Sequence, residues 1–331
     1  MADMMDILVV GAGPCGLGVG VAARQAGLSC TIFDRGPVTS SITLFPTHMT
    51  FFSTSERLEL GGVPFISPGE KPTRRDALRY YRRIVDVFDL DVHQYEGVAD
   101  VRRTGTCFNV TTLRKDGSAG QYLARNLVVA TGYLDSPRLM GIPGEDLPKV
   151  LHWYREGAPF YRQDCIVVGA GNSSVDVALD LFRWGARVML VHFADRLDPG
   201  VKPWIVPDME GRLKKGEIAA RWCTRLVEVR PATVVLRDEL TGATEEVPND
   251  WVFAMTGYVP DPHLLRELGV SIDPRTGIPA HDPATMESDV PGVFIAGVLA
   301  AGFDANKIFI ENGREHGPRI LQAIMARERP S

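Results

Sequence analysis

One arrangement occurs twice in this chain and restricts its fold more than any other feature. An apolar strand enters a glycine turn, a helix follows, and a second apolar strand comes after the helix. The first copy reads Ile7-Leu-Val-Val-Gly-Ala-Gly-Pro-Cys-Gly16, then a helix through Ala26 that stops at Gly27, then Cys30-Thr-Ile-Phe-Asp34. The second reads Cys165-Ile-Val-Val-Gly-Ala-Gly-Asn-Ser-Ser174, then a helix through Trp184 that stops at Gly185, then Ala186-Arg-Val-Met-Leu-Val-His192. Short apolar runs flanked by glycine and alternating with amphipathic helices specify parallel strands. A glycine just past each helix is the expected C-terminal stop.

Two such copies far apart predict two nucleotide sites, hence an α/β chain of two Rossmann-type, three-layer nucleotide-binding domains. The length of 331 residues suits two domains. Further strands are read at residues 126–130, ending at Thr131-Gly132, at 250–255, ending at Thr256-Gly257, and at 293–296, ending at Gly297. The Pro/Gly-rich stretch 137–148 reads as a linker and 260–262 as the return crossing. The expected division is therefore a discontinuous first domain, 1–140 with 259–331, and an inserted second domain, 141–258.

Composition excludes several classes. With 45% hydrophobic and 23% charged residues the chain is globular, and a net charge of -5 supplies no global field to hold nucleic acid. The densest basic run, residues 74–83, carries five arginines interleaved with Leu78, Tyr80 and Tyr81, and reads as a solvated helix face. Five cysteines at irregular spacing, without a CxxC pair, point to a reducing compartment and the cytoplasm. No Cys/His cluster has metal-ligand spacing. No apolar stretch approaches the ~20 residues of a membrane helix, and the first apolar run leads straight into glycines, unlike a signal peptide.

In the first loop Gly11 permits a tight turn, Gly13 lets the backbone approach a pyrophosphate, and Gly16 lets helix and strand pack closely. Pro14 and Cys15 complete the loop at the helix N-terminus, where free N–H groups and the helix dipole favour an anion. Asp34 ends the second strand, where an acid accepts hydrogen bonds from ribose hydroxyls. The second loop carries Gly169, Gly171 and, in the third position, Ser174, with Asn172 and Ser173 at the helix start. The counterpart of Asp34 is His192. The absence of an acid there, with Arg187 and Arg196 nearby, favours NADPH over NADH.

Taken together, the two loops, Ala130-Thr131-Gly132, Met255-Thr256-Gly257 and the late Gly292-Val-Phe-Ile-Ala-Gly297 resemble the pyridine-nucleotide–flavin oxidoreductases of the thioredoxin reductase type. Gly13-Pro-Cys-Gly16, Phe45-Pro-Thr-His48, Thr50-Phe-Phe-Ser53, Val150-Leu-His-Trp-Tyr154, Lys202-Pro-Trp204, Phe253-Ala-Met-Thr-Gly-Tyr258 and Ile310-Glu-Asn-Gly-Arg314 are similar to the YpdA-type bacillithiol disulfide reductases. The resemblance implies FAD on the first loop, NADPH on the inserted domain, and reduction of a low-molecular-weight disulfide without a CxxC pair. It puts the 45–53 loop, with Thr47 and Thr50, on a wall of the flavin site. Arg35 and Val98 join the expected FAD contacts. The late motif, Gly297-Val298, closes over the flavin, with Val298 where the wider superfamily has an acid. Asn306 and Lys307 begin a helix that points its N-terminus at the flavin pyrimidine. His192-Phe193-Ala194 lacks the paired arginines of thioredoxin reductases, so Arg196 carries the 2′-phosphate.

The implied chemistry is hydride transfer from NADPH to flavin N5 and on to an acceptor. Cys15 is the candidate redox thiol: the helix dipole lowers its pKa, and its thiolate could attack a disulfide. The competing reading is a small residue filling a tight slot. His48 is the candidate proton donor, a lone histidine otherwise being structural. The expected acceptor is a small-molecule disulfide or a small redox protein, with no nucleic acid and no membrane, and a homo-oligomer, dimer or tetramer, as is common in the superfamily. Two other functions fit the motifs: a flavin-dependent dithiol oxidase or monooxygenase using oxygen, and a slowly turning over FAD- and NADPH-binding redox sensor.

Overall fold

The computed structural model describes residues 4–328, and the chain forms two compact units. Unit 1 comprises Met1–Thr43, His48–Ser136 and Tyr258–Ser331; unit 2 comprises Leu44–Thr47 and Pro137–Gly257.

Unit 1 opens with β1 (Met4–Val10), α1 (Pro14–Ala26), β2 (Cys30–Asp34) and the short α2 (Ser40–Thr43). The long helix α3 (Arg74–Phe88) follows, then β3 (Asp91–Gln94), β4 (Glu96–Thr104), β5 (Cys107–Arg114) and β6 (Ala119–Val129). In unit 2 come β7 (Val150–Leu151), β8 (Asp164–Val168), α4 (Asn172–Arg183), β9 (Arg187–Val191), α5 (Val206–Lys214), β10 (Ala219–Arg221), β11 (Thr224–Val229), β12 (Thr233–Asp238), β13 (Thr244–Pro248) and β14 (Trp251–Ala254). The chain re-enters unit 1 with α6 (His263–Glu267), β15 (Val293–Ile295), α7 (Ile310–Gly313) and α8 (His316–Glu328).

Unit 1 is built on a parallel sheet in which β1 pairs with β2 on one side and β6 on the other, Ile7 standing opposite Cys30 and Asn126. β3 extends the sheet beyond β2, and β15 pairs with the C-terminal half of β6. The N-terminal half of β6 belongs to an antiparallel meander with β5 and β4. β6 joins the parallel and antiparallel parts of one sheet, and only its C-terminal part reads as a strand in sequence, because Leu127-Val-Val129 is an apolar run whereas residues 119–125, Ala-Gly-Gln-Tyr-Leu-Ala-Arg, show neither a continuous apolar run nor a regular alternation. Ile7, Leu8, Val9, Phe33, Leu127, Val128 and Phe294 form the fully buried centre. At about 25 cal/mol per Å2 of apolar surface this layer is the main stabilising term.

Unit 2 repeats the plan. Its parallel sheet has the order β10-β9-β8-β14-β7, and β11, β12 and β13 form a separate antiparallel sheet. Val167, Val175, Leu179, Leu190 and Phe253 are buried between sheet and helix α4.

The helix ends follow their local chemistry. Gly27 stops α1 in the left-handed region at φ 74°, a conformation that is costly for a side chain with Cβ. Thr73 starts α3 with a capping box, its hydroxyl and the Asp76 carboxylate bonding reciprocally with the two backbone N–H groups. The expected helix from Asn306 is a correction. Residues Ala305–Lys307 form a single tight turn, Ile308 and Phe309 are extended, and the long helix starts at His316. The Asn312 side chain is the cause. It accepts from the Phe309 N–H at 2.7 Å and donates to the Lys307 carbonyl at 2.8 Å, so those backbone groups are satisfied outside a helix. Among the described residues no helix is long and apolar enough to cross a membrane, and no group of three or more His, Cys, Asp or Glu is placed to hold a metal ion.

Candidate functional site

Each unit carries a glycine loop at the C-terminal edge of its parallel sheet, and the two loops are built alike. In unit 1 the Gly11 N–H donates to the Phe33 carbonyl at 2.7 Å and the Ala12 carbonyl accepts from Thr39 at 2.9 Å. In unit 2 the Gly169 N–H donates to Val191 at 3.0 Å and Ala170 accepts from Asp198 at 3.1 Å. The first glycine of each loop has a positive φ, 112° at Gly11 and 117° at Gly169. A Cβ at Gly11 would lie 2.4 Å from the Ala130 carbonyl oxygen, and one at Gly169 would lie 2.7 Å from that of Met255. The Ala-Thr-Gly and Met-Thr-Gly motifs thus share one role: the strand preceding Thr131-Gly132, or Thr256-Gly257, needs the space that the first glycine leaves. Thr256 is further fixed by its hydroxyl, which donates to Arg138 O at 2.6 Å.

The third position separates the loops. A Cβ at Gly16 would stand 1.9 Å from the Gly11 carbonyl oxygen, so this site admits glycine alone. Ser174 fits in its place because its buried hydroxyl turns toward Met255 O, at 3.5 Å, under Gly169.

Both middle glycines face open space: a Cβ at Gly13 or at Gly171 meets no atom within 4 Å. Each is also the N-cap of its helix without a side-chain cap. The first turn therefore presents backbone N–H groups and the positive end of the dipole to the open side of the loop. That is the environment a pyrophosphate requires, and the residues fit a dinucleotide in each unit. Ser173 is exposed at the start of α4.

Several expected contacts have other partners. Asp34 is buried and takes the Ala12 N–H on Oδ2 at 2.8 Å and the Gly36 N–H on Oδ1 at 2.7 Å, with Ser40 Oγ at 3.2 Å. Three of its roughly four acceptor directions are used, so its first role is to brace the glycine loop. Arg35 pairs with Asp135 and lies against Gly97, beside Val98. Thr47 falls in unit 2, bonded through N–H and hydroxyl to the Arg155 carbonyl at 2.9 and 3.2 Å. His48 and Thr50 are exposed in unit 1, where Thr50 bridges to Thr73. Asn172 is clasped to the 200–202 turn, donating to Gly200 O at 3.0 Å and accepting from the Lys202 N–H at 2.8 Å. Arg187 is a correction: it is locked in a bidentate pair with Asp164, both contacts 2.6 Å, so it is withheld from a phosphate at the other end of its strand.

The reading of Cys15 is corrected in one respect. Its Sγ lies in a slot between two glycines, 3.0 Å from where a Gly297 Cβ would be and 2.8 Å from that of Gly313. The residue keeps some accessible surface, but the sulfur is desolvated, and burial pushes the thiol up to about 12 rather than the dipole pulling it down. Gly297 starts a tight turn, Gly297–Ala301, that buries Val298. Its N–H donates to Nδ1 of His316 at 3.0 Å. His316 is buried and held neutral, burial first and then the charge of Arg319 lowering it to about 4. Arg314 adds a clasp, donating to the carbonyls of Glu56 and Glu59 at 2.8 and 3.0 Å. Glu311 accepts from Ser53 Oγ at 2.6 Å. Sequence reasoning did not bring Gly297 and Gly313 to the Cys15 sulfur, because about 300 residues separate them and nothing local marks the contact.

Residues 8–297 match the family described as pyridine nucleotide-disulphide oxidoreductase. The chain is 44% identical over 323 residues to bacilliredoxin reductase Bdr of Bacillus subtilis (strain 168), covering 97% of this chain and 98% of that protein. Among solved structures it is similar to bacillithiol disulfide reductase Bdr (YpdA) from Bacillus cereus, with a TM-score of 0.95 at 42% identity, covering 98% of this chain and 100% of that one. The protein of the same name from Staphylococcus aureus gives 0.93 at 36% identity, with 99% and 100% covered.

Proposed function

The chain belongs to the pyridine nucleotide-disulphide oxidoreductase family, and on that premise we propose that it is an FAD-containing, NADPH-dependent reductase of a low-molecular-weight disulfide of the bacillithiol type. The observation that carries this reading is end-to-end similarity, at 44% and 42% identity, to proteins named as reductases of bacilliredoxin and of bacillithiol disulfide. The absence of a CxxC pair agrees with it, since electrons do not pass through a dithiol of this chain.

We assign FAD to the loop of unit 1, with Thr131, Gly132, Gly297 and Val298 around it, and NADPH to the loop of unit 2. When bound, these cofactors supply as a hydride equivalent the two electrons that one disulfide consumes. Disulfide, NADPH and one proton then give two thiols and NADP+. The chain itself holds the pyrophosphates on the uncapped helix starts, with Asp34 bracing the first loop and His316 fixing the backbone at Gly297.

Cys15 and His48 stand as proposed participants. A Cys15 thiolate would bond one sulfur of the disulfide while the S–S bond breaks and the other sulfur leaves as a thiolate, His48 supplying a proton. That role requires the slot to open first, because the packed thiol is protonated at neutral pH.

The Bacillus subtilis relative, a bacilliredoxin reductase by name, favours one second reading, in which the acceptor is a bacilliredoxin-type protein. We place the enzyme in the cytoplasm, in keeping with its five free cysteines, and as a dimer or tetramer, which light scattering tests. The functional test is anaerobic: NADPH is added until the flavin bleaches, then bacillithiol disulfide, other small disulfides and a bacilliredoxin loaded with bacillithiol are supplied separately. Return of colour with bacillithiol disulfide is expected. Return with the protein alone selects the second reading, and recovery only in air refutes both. Loss of recovery in Cys15→Ser with FAD retained supports the thiol step; full recovery removes it.

A further inference from the structure

The end of β9 is the corner of unit 2 where the ribose of a pyridine nucleotide meets the chain, and the cation there comes from a distant strand. Arg187 is held by Asp164. Arg196 extends into solvent, 78% exposed, with its neighbour Asp195 at 3.8 Å. The segment following β9 runs beside the start of β11: Thr224 N–H donates to His192 O and Cys223 N–H to Ala194 O, both at 2.9 Å. This pairing brings Arg225 to Phe193, with the guanidinium over the ring at 4.7 Å from its centroid.

Glu239 holds Arg225 by accepting from its Nε at 2.7 Å. The same carboxylate also accepts from Arg237 at 2.9 Å. Two guanidiniums therefore share one carboxylate, and the cluster keeps a net positive charge. The Arg225 side chain is 50% exposed, and its pair with Glu239 uses Nε, so the outer nitrogens are not engaged by that carboxylate. His192 contributes no competing charge. Burial lowers its pKa, and the field of Arg225 adds to that despite opposition from Asp198. Its Nδ1 is buried without a hydrogen-bond partner among the described residues.

We infer that Arg225, oriented by Phe193 and Glu239, is the residue that recognises the 2′-phosphate of the nucleotide. Coenzyme selectivity then resides in the antiparallel sheet of unit 2 and not in the loop after β9. A planar guanidinium already fixed at Nε offers its remaining donors to phosphate in a pre-set orientation. This inference rests on the reading that unit 2 binds NADPH.

The test is calorimetric binding of 2′,5′-ADP and of AMP to the FAD-loaded protein, ligands that differ in the 2′-phosphate and need no turnover. Wild type is expected to prefer 2′,5′-ADP. Arg225→Gln should weaken that ligand by about 10- to 100-fold, the range of a charge-assisted hydrogen bond, with AMP unchanged within about twofold. Arg225→Lys should retain part of the preference, and Arg196→Gln should alter either ligand by less than about threefold. Thermal melting checks that each variant is folded. A wild-type ratio in Arg225→Gln, or a collapse of the ratio in Arg196→Gln instead, overturns the assignment. Equal loss of both ligands in Arg225→Gln overturns it too, because the effect is then not on the phosphate. Failure of wild type to distinguish the ligands sinks the NADPH reading itself, a result separate from any variant.

Discussion

If the Cys15 sulfur is as enclosed as the slot between Gly297 and Gly313 makes it, its ionisation has a measurable cost. The thiol is moved from an ordinary value of 9.0 to about 12 by desolvation. At 1.36 kcal/mol per unit this disfavours the thiolate by about 4 kcal/mol relative to an exposed cysteine. At neutral pH the thiolate fraction falls from about one in a hundred to about one in a hundred thousand. Alkylation by iodoacetamide proceeds through thiolate, so Cys15 in the FAD-loaded protein should react about a thousandfold more slowly than free cysteine. Its rate should climb about tenfold per pH unit without a plateau below about pH 11. The assay is residue-resolved mass spectrometry of the Cys15 peptide over a pH series, with protein unfolded in guanidinium chloride as the control that restores the free rate. A plateau near or below the ordinary thiol value, with the fold intact, would falsify the burial argument and return Cys15 to the dipole-activated nucleophile that its position on α1 suggests.

Three other outcomes follow from the geometry. Gly16→Ala places a methyl 1.9 Å from a backbone oxygen and should unfold or empty the first unit, whereas Gly13→Ala, whose Cβ meets open space, should fold with near-native melting but bind FAD at least tenfold more weakly; equal melting losses in both variants would refute the distinction. His316 is held neutral in the fold with its pKa lowered to about 4. Stability that is complete above the unfolded value, about 6.5, should therefore decline by up to about 3 kcal/mol as pH falls through the folded value. In His316→Phe that part of the pH slope should vanish in denaturant titrations, even as the Gly297 N–H loses its acceptor. Arg187→Gln breaks an exposed pair with Asp164, 60% and 44% accessible, and should leave both melting stability and 2′,5′-ADP affinity close to the wild-type level. A large loss of that affinity would restore Arg187 to the phosphate site.

How much could be read from the linear chain depended on how local the cause was. The strand–glycine–helix units were legible because their requirements lie within about ten residues: Gly11 needs a positive φ, Gly16 has a carbonyl against its α-carbon, and Gly27 stops a helix. The resemblance to the flavin disulfide reductases rested on motifs of this kind, and the family match agrees with it. The helix expected at Asn306 failed because a side-chain amide six residues on, Asn312, competes for the backbone.

Charge and contact were not local. Arg187 and Arg196 looked equivalent along the chain, but the first faces a carboxylate on β8 and the second faces solvent, while Arg225, 33 positions beyond His192 in the sequence, reaches the corner through strand pairing. Sequence alone determined where backbone must turn, approach closely and leave donors free, because glycine and helix termini act through the chain next to them. The tertiary structure decided which thiol is buried, which imidazole is neutral and which arginine remains available. Desolvation and ion pairing are set by neighbours in space: for Cys15 these come from the far end of the chain, and for Arg187 and Arg225 from adjoining strands.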